Sequence, residues 1–187
     1  KTYKPPVSTK VYDIDGDVIA DFSRERRSFV KIEQVPKKVI SAFLSAEDKN
    51  FYEHPGYDMR GILAALVDAV QSRGKRIRGA STITQQVMKN FLLDRSRRAE
   101  RKVKEIILAT RIERSLTKEQ ILELYLNEIF LGQNSYGVTA ASQTYFNKTL
   151  DELAPHEAAF LAALPKAPSD YHPVREKERL LERRNYV

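Results

Sequence analysis

The sequence predicts a mainly α chain with a short β-hairpin near its N-terminal end. Three observations carry that reading. From Pro36 to Leu164, apolar residues recur three and four apart, the spacing of a buried helical face. The joints between these runs carry helix start and stop chemistry, such as Thr117 with Gln120 three residues on, and Pro165 after an Ala-rich run. Residues 10–21 instead turn like two strands, with Asp15-Gly16 as the tight-turn pair between Val11-Tyr12 and Val18-Ile19-Ala20.

Composition sets the bounds. A chain of 187 residues, 42% hydrophobic and 30% charged, suits one domain, or one domain with a small lobe, and can bury a real core. Its net charge of +7 favours an anionic partner: nucleic acid, a membrane surface or an anionic substrate. The absence of cysteine excludes disulfides, thiolate metal sites and a Cys nucleophile. The three histidines, at 54, 156 and 172, are too widely spaced for a zinc site. No apolar run reaches the roughly 18 residues of a membrane span, and no signal peptide is visible. The chain starts at Lys1 rather than Met and stops inside a helical pattern, so it reads as an excised domain.

The elements follow in order. Residues 1–10, with Pro5-Pro6, read as a linker. The Asp13-x-Asp15-Gly16-Asp17 cluster lacks the downstream bidentate Glu of an EF-hand loop and has strand-like flanks, which argues against calcium. Pro36 opens the first helix, with Val39, Ile40, Phe43 and Leu44 on one face. The next turn of that face brings Glu47, beside Asp48, before the helix gives out over 49–56. A carboxylate ending an apolar stripe faces inward or towards a cleft. Desolvation and the negative end of the helix dipole would both raise its pKa, as a general base near neutral pH requires. The alternative is a surface Glu at a fraying helix end.

A second helix, 58–73, has a broad apolar face from Met59, Ile62, Leu63, Leu66, Val67 and Val70, followed by the cationic loop Arg73–Arg78. Such a face packs in a core or lies on an anionic bilayer. Gly79 then gives a turn, and Ser81 is the expected N-cap of a helix from Thr82 to about Leu92. Thr82, Gln85, Gln86 and Lys89 crowd one side of it, while Ile83, Val87 and Phe91 hold the other to the core. Its free N–H groups make an anion site. The helix over about 96–115 carries Arg97, Arg98, Arg101, Lys102 and Lys104, with Glu105 within one turn of Arg101 and Lys102, and Val103, Ile106, Ile107 and Ile112 as the expected buried stripe. Residues 79–105 therefore look like a cradle for something polar and anionic, against the blander alternative of solvated helices with ordinary ion pairs. Thr117 starts a strongly apolar helix, expected to be central in the core. Tyr136-Gly137 begins another, residues 151–164 form an Ala-rich one, and 174–187 start a charged one.

Five stretches in order resemble a known family. They are Glu47-Asp48-x-x-Phe51-x-x-His54-x-Gly56, Gly79-x-Ser81-Thr82-Ile83-Thr84-Gln85-Gln86, Arg101-Lys102-x-Lys104-Glu105, Lys118-x-x-Ile121-Leu122-x-x-Tyr125-Leu126-Asn127 and Tyr136-Gly137-Val138. Together they are similar to the signatures of the peptidoglycan glycosyltransferases, the membrane-proximal domains of bacterial class A penicillin-binding proteins, which also occur as monofunctional enzymes. The resemblance covers about residues 10–187.

The resemblance implies a lysozyme-like helical lobe with a smaller, membrane-facing jaw lobe at about 57–78, within a glycosyltransferase domain of residues 11–187. It implies polymerisation of lipid II on the outer face of the bacterial cytoplasmic membrane. The growing chain, linked to undecaprenyl pyrophosphate, would pass with inversion to the 4-hydroxyl of an acceptor sugar, forming a β-1,4 bond. Glu47 matches the catalytic base. Glu105 matches the second carboxylate, expected to orient cations or to help hold a divalent metal (Mg or Mn), although no cofactor is required by the sequence. Lys89, Arg97, Arg101 and Lys102 match the donor-pyrophosphate positions, with Asp48, Ser81, Thr82, Gln85, Gln86 and Asn90 as further substrate-binding groups. A transmembrane helix upstream and a transpeptidase domain downstream are the expected missing parts, and nucleic acid is not an expected partner. Asn50, where many members have Arg, and Arg78, before Gly79, depart from the pattern. Two alternatives stand beside this reading. A glycan-cleaving enzyme of lysozyme-like fold would have little need for the basic helix. A nucleic-acid-binding module would not need Glu47-Asp48 behind an apolar stripe.

Overall fold

The computed structural model describes residues 10–12, 14–15, 18–21, 26–71, 81–92, 98–166 and 177–187. It is mainly helical, as the periodicity predicts. Strands β1 (Lys10–Tyr12) and β2 (Val18–Asp21) pair antiparallel, with Val11 opposite Ala20. The short β3 (Arg26–Arg27) pairs in parallel with β4 (Ser135–Tyr136). The helices are α1 (Lys37–Glu47), α2 (Met59–Gln71), α3 (Ile83–Leu92), α4 (Arg98–Glu113), α5 (Lys118–Glu128), α6 (Val138–Phe146), α7 (Pro155–Ala163) and α8 (Lys177–Tyr186). Residues 1–9 of the expected 1–10 linker, residues 72–80 with the cationic loop, and Arg97 lie outside the described residues.

The helix expected over 151–164 begins only at Pro155, where the proline takes the first helical position, and two other starts show the capping chemistry directly. Thr117 and Gln120 form the predicted capping box: Gln120 Oε1 accepts from Thr117 N at 2.9 Å, and Thr117 Oγ1 accepts from Gln120 N at 3.3 Å. In α3 the cap is Thr82 rather than Ser81. Thr82 Oγ1 accepts from Gln85 N at 3.2 Å, and Gln85 Oε1 lies 3.4 Å from Thr82 N in return. The hydroxyl one residue later wins because Gln85 stands three positions from it and can complete the box.

The core gathers Val39 and Phe43 of α1, Phe51, Ile83 of α3, Ile121, Leu122, Tyr125 and Leu126 of α5, and Leu161 and Leu164 from the α7 end. Helix α5 is central, as its apolar composition predicts. Its Asn127 fixes the chain before α1, accepting from Val30 N at 2.8 Å and donating to Val30 O at 2.8 Å. Helix α4 is rotated from expectation. Val103 and Ile107 are exposed, while Glu105 and Ala109 are buried. A charged residue enters the interior there because Lys102 reaches it from one turn away. Among the described residues, no helix is long and apolar enough to cross a membrane.

Candidate active site

The site begins where α1 ends. Glu47 is the last residue of α1, and Asp48 follows as its C-cap. The apolar face that buries Val39 and Phe43 brings Glu47 round to the wall of a cleft of about 440 Å³. Asp48, Ser81, Thr82, Gln86, Lys49, Arg60 and Arg183 line the same cleft. Gln86 Nε2 donates to Glu47 Oε2 at 2.9 Å, and Arg183 Nη2 lies 3.7 Å from Glu47 Oε1. The carboxylate is thus met by an amide and a guanidinium, with 12% of its side chain exposed.

Asp48 also lines the cleft, and its oxygens are engaged by the chain itself. Its two oxygens meet His54 Nε2 at 2.9 and 3.0 Å, and Oδ2 also accepts from Ile83 N at 2.9 Å. His54 Nδ1 accepts from Gly56 N at 3.2 Å, so the ring proton sits on Nε2, facing Asp48. Gly56 must be glycine: its φ is +93°, and a Cβ there would stand 2.8 Å from Ala109 O. The first N–H of α3, expected to bind a substrate anion, therefore holds the chain's own carboxylate. Thr82 is likewise occupied, donating to Gly56 O at 2.7 Å. Asp48 and Thr82 brace the base and the start of α3 against each other.

The cationic half of the site centres on Lys102. Its ammonium donates to Ser81 Oγ at 2.9 Å, Gln85 Oε1 at 3.0 Å and Glu105 Oε2 at 3.1 Å. Ser81 is the link between the halves, because it also lines the cleft that holds Glu47. Lys89 and Asn90 are exposed further along α3. Arg97 and the Arg101 side chain lie outside the described residues. Among the described residues, no group of three or more His, Cys, Asp or Glu side chains forms a metal cage. Glu105 is a buried carboxylate that accepts from Lys102, a donor set too small to cage a metal by itself.

Several functional neighbours escaped the sequence reading. Arg183 comes from α8, and its Nη2 also donates to Ala46 O at 3.0 Å. Asp58 starts α2. Hydrogen bonds from the Gly61 backbone first, then from the Asn50 side chain and the Arg60 backbone, hold its carboxyl below the usual carboxylate range. Tyr125 is buried beneath the site, and burial first, then the charges of Glu47 and Asp48, push its phenol well above the usual range. Lys118, from the fourth stretch, is structural. It donates to Glu113 and to His54 O, both at 2.7 Å, while Glu113 accepts from Thr84 Oγ1 at 2.6 Å.

A family model described as Transglycosylase matches residues 15–187. The chain belongs to the transglycosylase family. It is an enzyme domain of that class. Penicillin-binding protein 1A of Rickettsia felis is 52% identical over 187 residues, covering 99% of this chain and 24% of that protein. Penicillin-binding protein 1A of Escherichia coli K12 is 47% identical over 187 residues, covering all of this chain and 22% of that protein. A crystal structure of Penicillin-Binding Protein 1A from Haemophilus influenzae aligns with a TM-score of 0.51 at 32% identity, over 99% of this transglycosylase chain and 18% of that one. The chain thus spans about a quarter of the length of the curated relatives it matches.

Proposed function

We propose that this transglycosylase domain polymerises lipid II into peptidoglycan glycan strands. The observation that carries the reading is a carboxylate in one wall of a cleft whose other lining includes the hydroxyl that a fixed cation bonds. Glu47 lines that cleft, and so does Ser81, whose hydroxyl holds Lys102. A base beside a cation hub is what transfer to a sugar hydroxyl with loss of a pyrophosphate needs.

In this mechanism Glu47 takes the proton of the acceptor 4-hydroxyl. The acceptor oxygen attacks C1 of the growing chain from the face opposite the leaving group. The C1–oxygen bond to the lipid pyrophosphate breaks, and the pyrophosphate leaves with the bonding pair. Inversion at C1 gives the β-1,4 link. Lys102, with Ser81, Gln85, Gln86, Lys89, Asn90, Arg97 and Arg101, receives the growing charge on the leaving group. Asp48 and Thr82 act by position, holding Glu47 and the α3 start in register. A divalent cation, where used, would lean on Glu105 and on substrate phosphates, and would supply charge neutralisation there.

The jaw reading of residues 57–78 draws support from α2. Met59, Leu63, Val67 and Val70 follow one another at helical spacing and are all exposed. We place this face on the outer surface of the bacterial cytoplasmic membrane. The remainder of the parent chain would supply the membrane anchor and the transpeptidase domain implied by the resemblance.

The test is incubation with lipid II in detergent, for the wild type and for Glu47→Gln, with and without added magnesium. Polymer from the wild type and none from the variant is expected. Unchanged polymer from Glu47→Gln rejects the assigned base. Sugar released from finished glycan supports a glycan-cleaving enzyme instead. Co-sedimentation of the domain with anionic vesicles checks the membrane face.

A further inference from the structure

Tyr125 is the largest fully buried side chain among the described residues. Its ring meets Phe43 edge-on, with centroids 6.2 Å apart and planes at 75°. Phe43 and Glu47 are four residues apart on α1, so they share a face of that helix. Tyr125 therefore lies against the face of α1 that ends in the proposed base. Its hydroxyl has no hydrogen-bond partner among the described residues. Buried hydroxyls are normally paired with protein or with an ordered water. A phenylalanine would fill this space without stranding a polar atom. Burial and the two nearby carboxylates keep the phenol protonated through the physiological range, so it has a proton to donate and does not lose it.

We propose that the Tyr125 hydroxyl is a positioning donor for Glu47, acting through one buried water that it donates to and that donates in turn to the carboxylate end of α1. This rests on Glu47 being the base. The bridge steadies the ionised carboxylate from the core side and leaves the cleft side for the acceptor. When Glu47 takes the acceptor proton, the acceptor oxygen bonds C1 and the pyrophosphate departs with its electron pair. Tyr125 keeps its own proton throughout. The other charged or titratable groups around Glu47 are Arg183 from α8, Asp48 with its partner His54, and Lys49, Asp58 and Arg60 along the cleft.

The experiment is the pH dependence of initial polymerisation rates on the full chain, for wild type, Tyr125→Phe, Tyr125→3-fluorotyrosine and Glu47→Gln. Loss of the donor should move the acid limb of the profile up by about half a pH unit, roughly a threefold loss at its acid end, with KM and the alkaline plateau within about twofold of wild type. The fluorinated phenol is a stronger donor and should move the limb the other way. An acid limb unmoved in Tyr125→Phe overturns the proposal. So does a uniform loss at every pH accompanied by a lower Tm, which marks a purely structural role. Glu47→Gln separates the two levels. If it polymerises like the wild type, the base assignment fails and the Tyr125 role with it. If it is inactive while Tyr125→Phe keeps the wild-type profile, the Tyr125 role alone fails.

Discussion

Lys102 shows how one side chain ties the cationic half of the site together. Its ammonium has three protons and faces three acceptors, on Ser81, Gln85 and Glu105. Two of those partners are themselves buried, and Lys102 neutralises one of them, Glu105; the proposed mechanism asks it to present charge to the leaving group as well. Lys102→Met should lower turnover by about a hundredfold or more, the scale of losing a fixed transition-state donor. It should also cost roughly 1–3 kcal/mol of stability, because the buried Glu105 loses a cationic partner. Adding Glu105→Gln should restore much of the Tm but not the rate. Melting curves and initial rates on the two variants check this, and a fully active Lys102→Met rejects the pyrophosphate role. At this scale the sequence was informative about residue type and weak about direction. Glu47, Ser81 and Gln86 line one cleft, and Lys102 bonds Ser81. Asp48 and Thr82 carry the right chemistry for ligand contact, yet their oxygens are taken by His54, Ile83 N and Gly56 O. Those partners lie up to 35 residues away, and spacing alone does not report them.

Helices were legible where periodicity and capping agree, as in α1 and α5. Rotation about the axis was less so. The sequence of α4 offers Val103 and Ile107 as a buried pair, but the helix buries Glu105 and Ala109. The ion pair with Lys102 makes that choice tolerable, and it depends on where Ser81 and Gln85 sit. The start of α2 gives a test at this scale. Asp58 accepts from the Gly61 and Arg60 backbone, so its folded pKa lies below the ordinary 3.8. A depressed carboxyl contributes stability above its unfolded pKa and loses it as pH falls through the folded value. Protection factors at the α2 amides, corrected for the intrinsic exchange rate at each pH, should therefore fall as pH drops below about 3.8. Asp58→Ala should show the lower protection already at neutral pH, at a cost of about 1 kcal/mol, the usual worth of an N-cap. Asp58 is partly exposed, and the cap bonds rather than a fully buried charge set this size. Equal exchange in both proteins at neutral pH would remove the cap from the account.

At the scale of the whole molecule, the site is completed by the far end of the chain. Helix α8 packs on α7 and buries Leu180, which brings Arg183 beside the end of α1. Arg183 then donates to Ala46 O across 137 positions of sequence and stands 3.7 Å from Glu47. Tyr186 stacks beneath it, with the guanidinium carbon 5.2 Å from the ring centroid. The sequence marks α8 only as a charged helix, because nothing local distinguishes an inward Arg from the solvated ones beside it. Removing this side chain separates its two tasks. Arg183→Ala deletes the bond to Ala46 O and the cation near Glu47, so both Tm and turnover should fall, the former by roughly 1–3 kcal/mol of stability. Arg183→Gln keeps an amide donor for the carbonyl but no charge. It should recover most of the stability while turnover stays low, because Glu47 then keeps Gln86 and loses the guanidinium. Melting temperatures and initial rates on the pair decide the matter. If Arg183→Ala is as stable and as active as the wild type, α8 is packing alone. If Arg183→Gln recovers both quantities together, the bond to Ala46 O, and not the charge beside Glu47, is what α8 brings to the site.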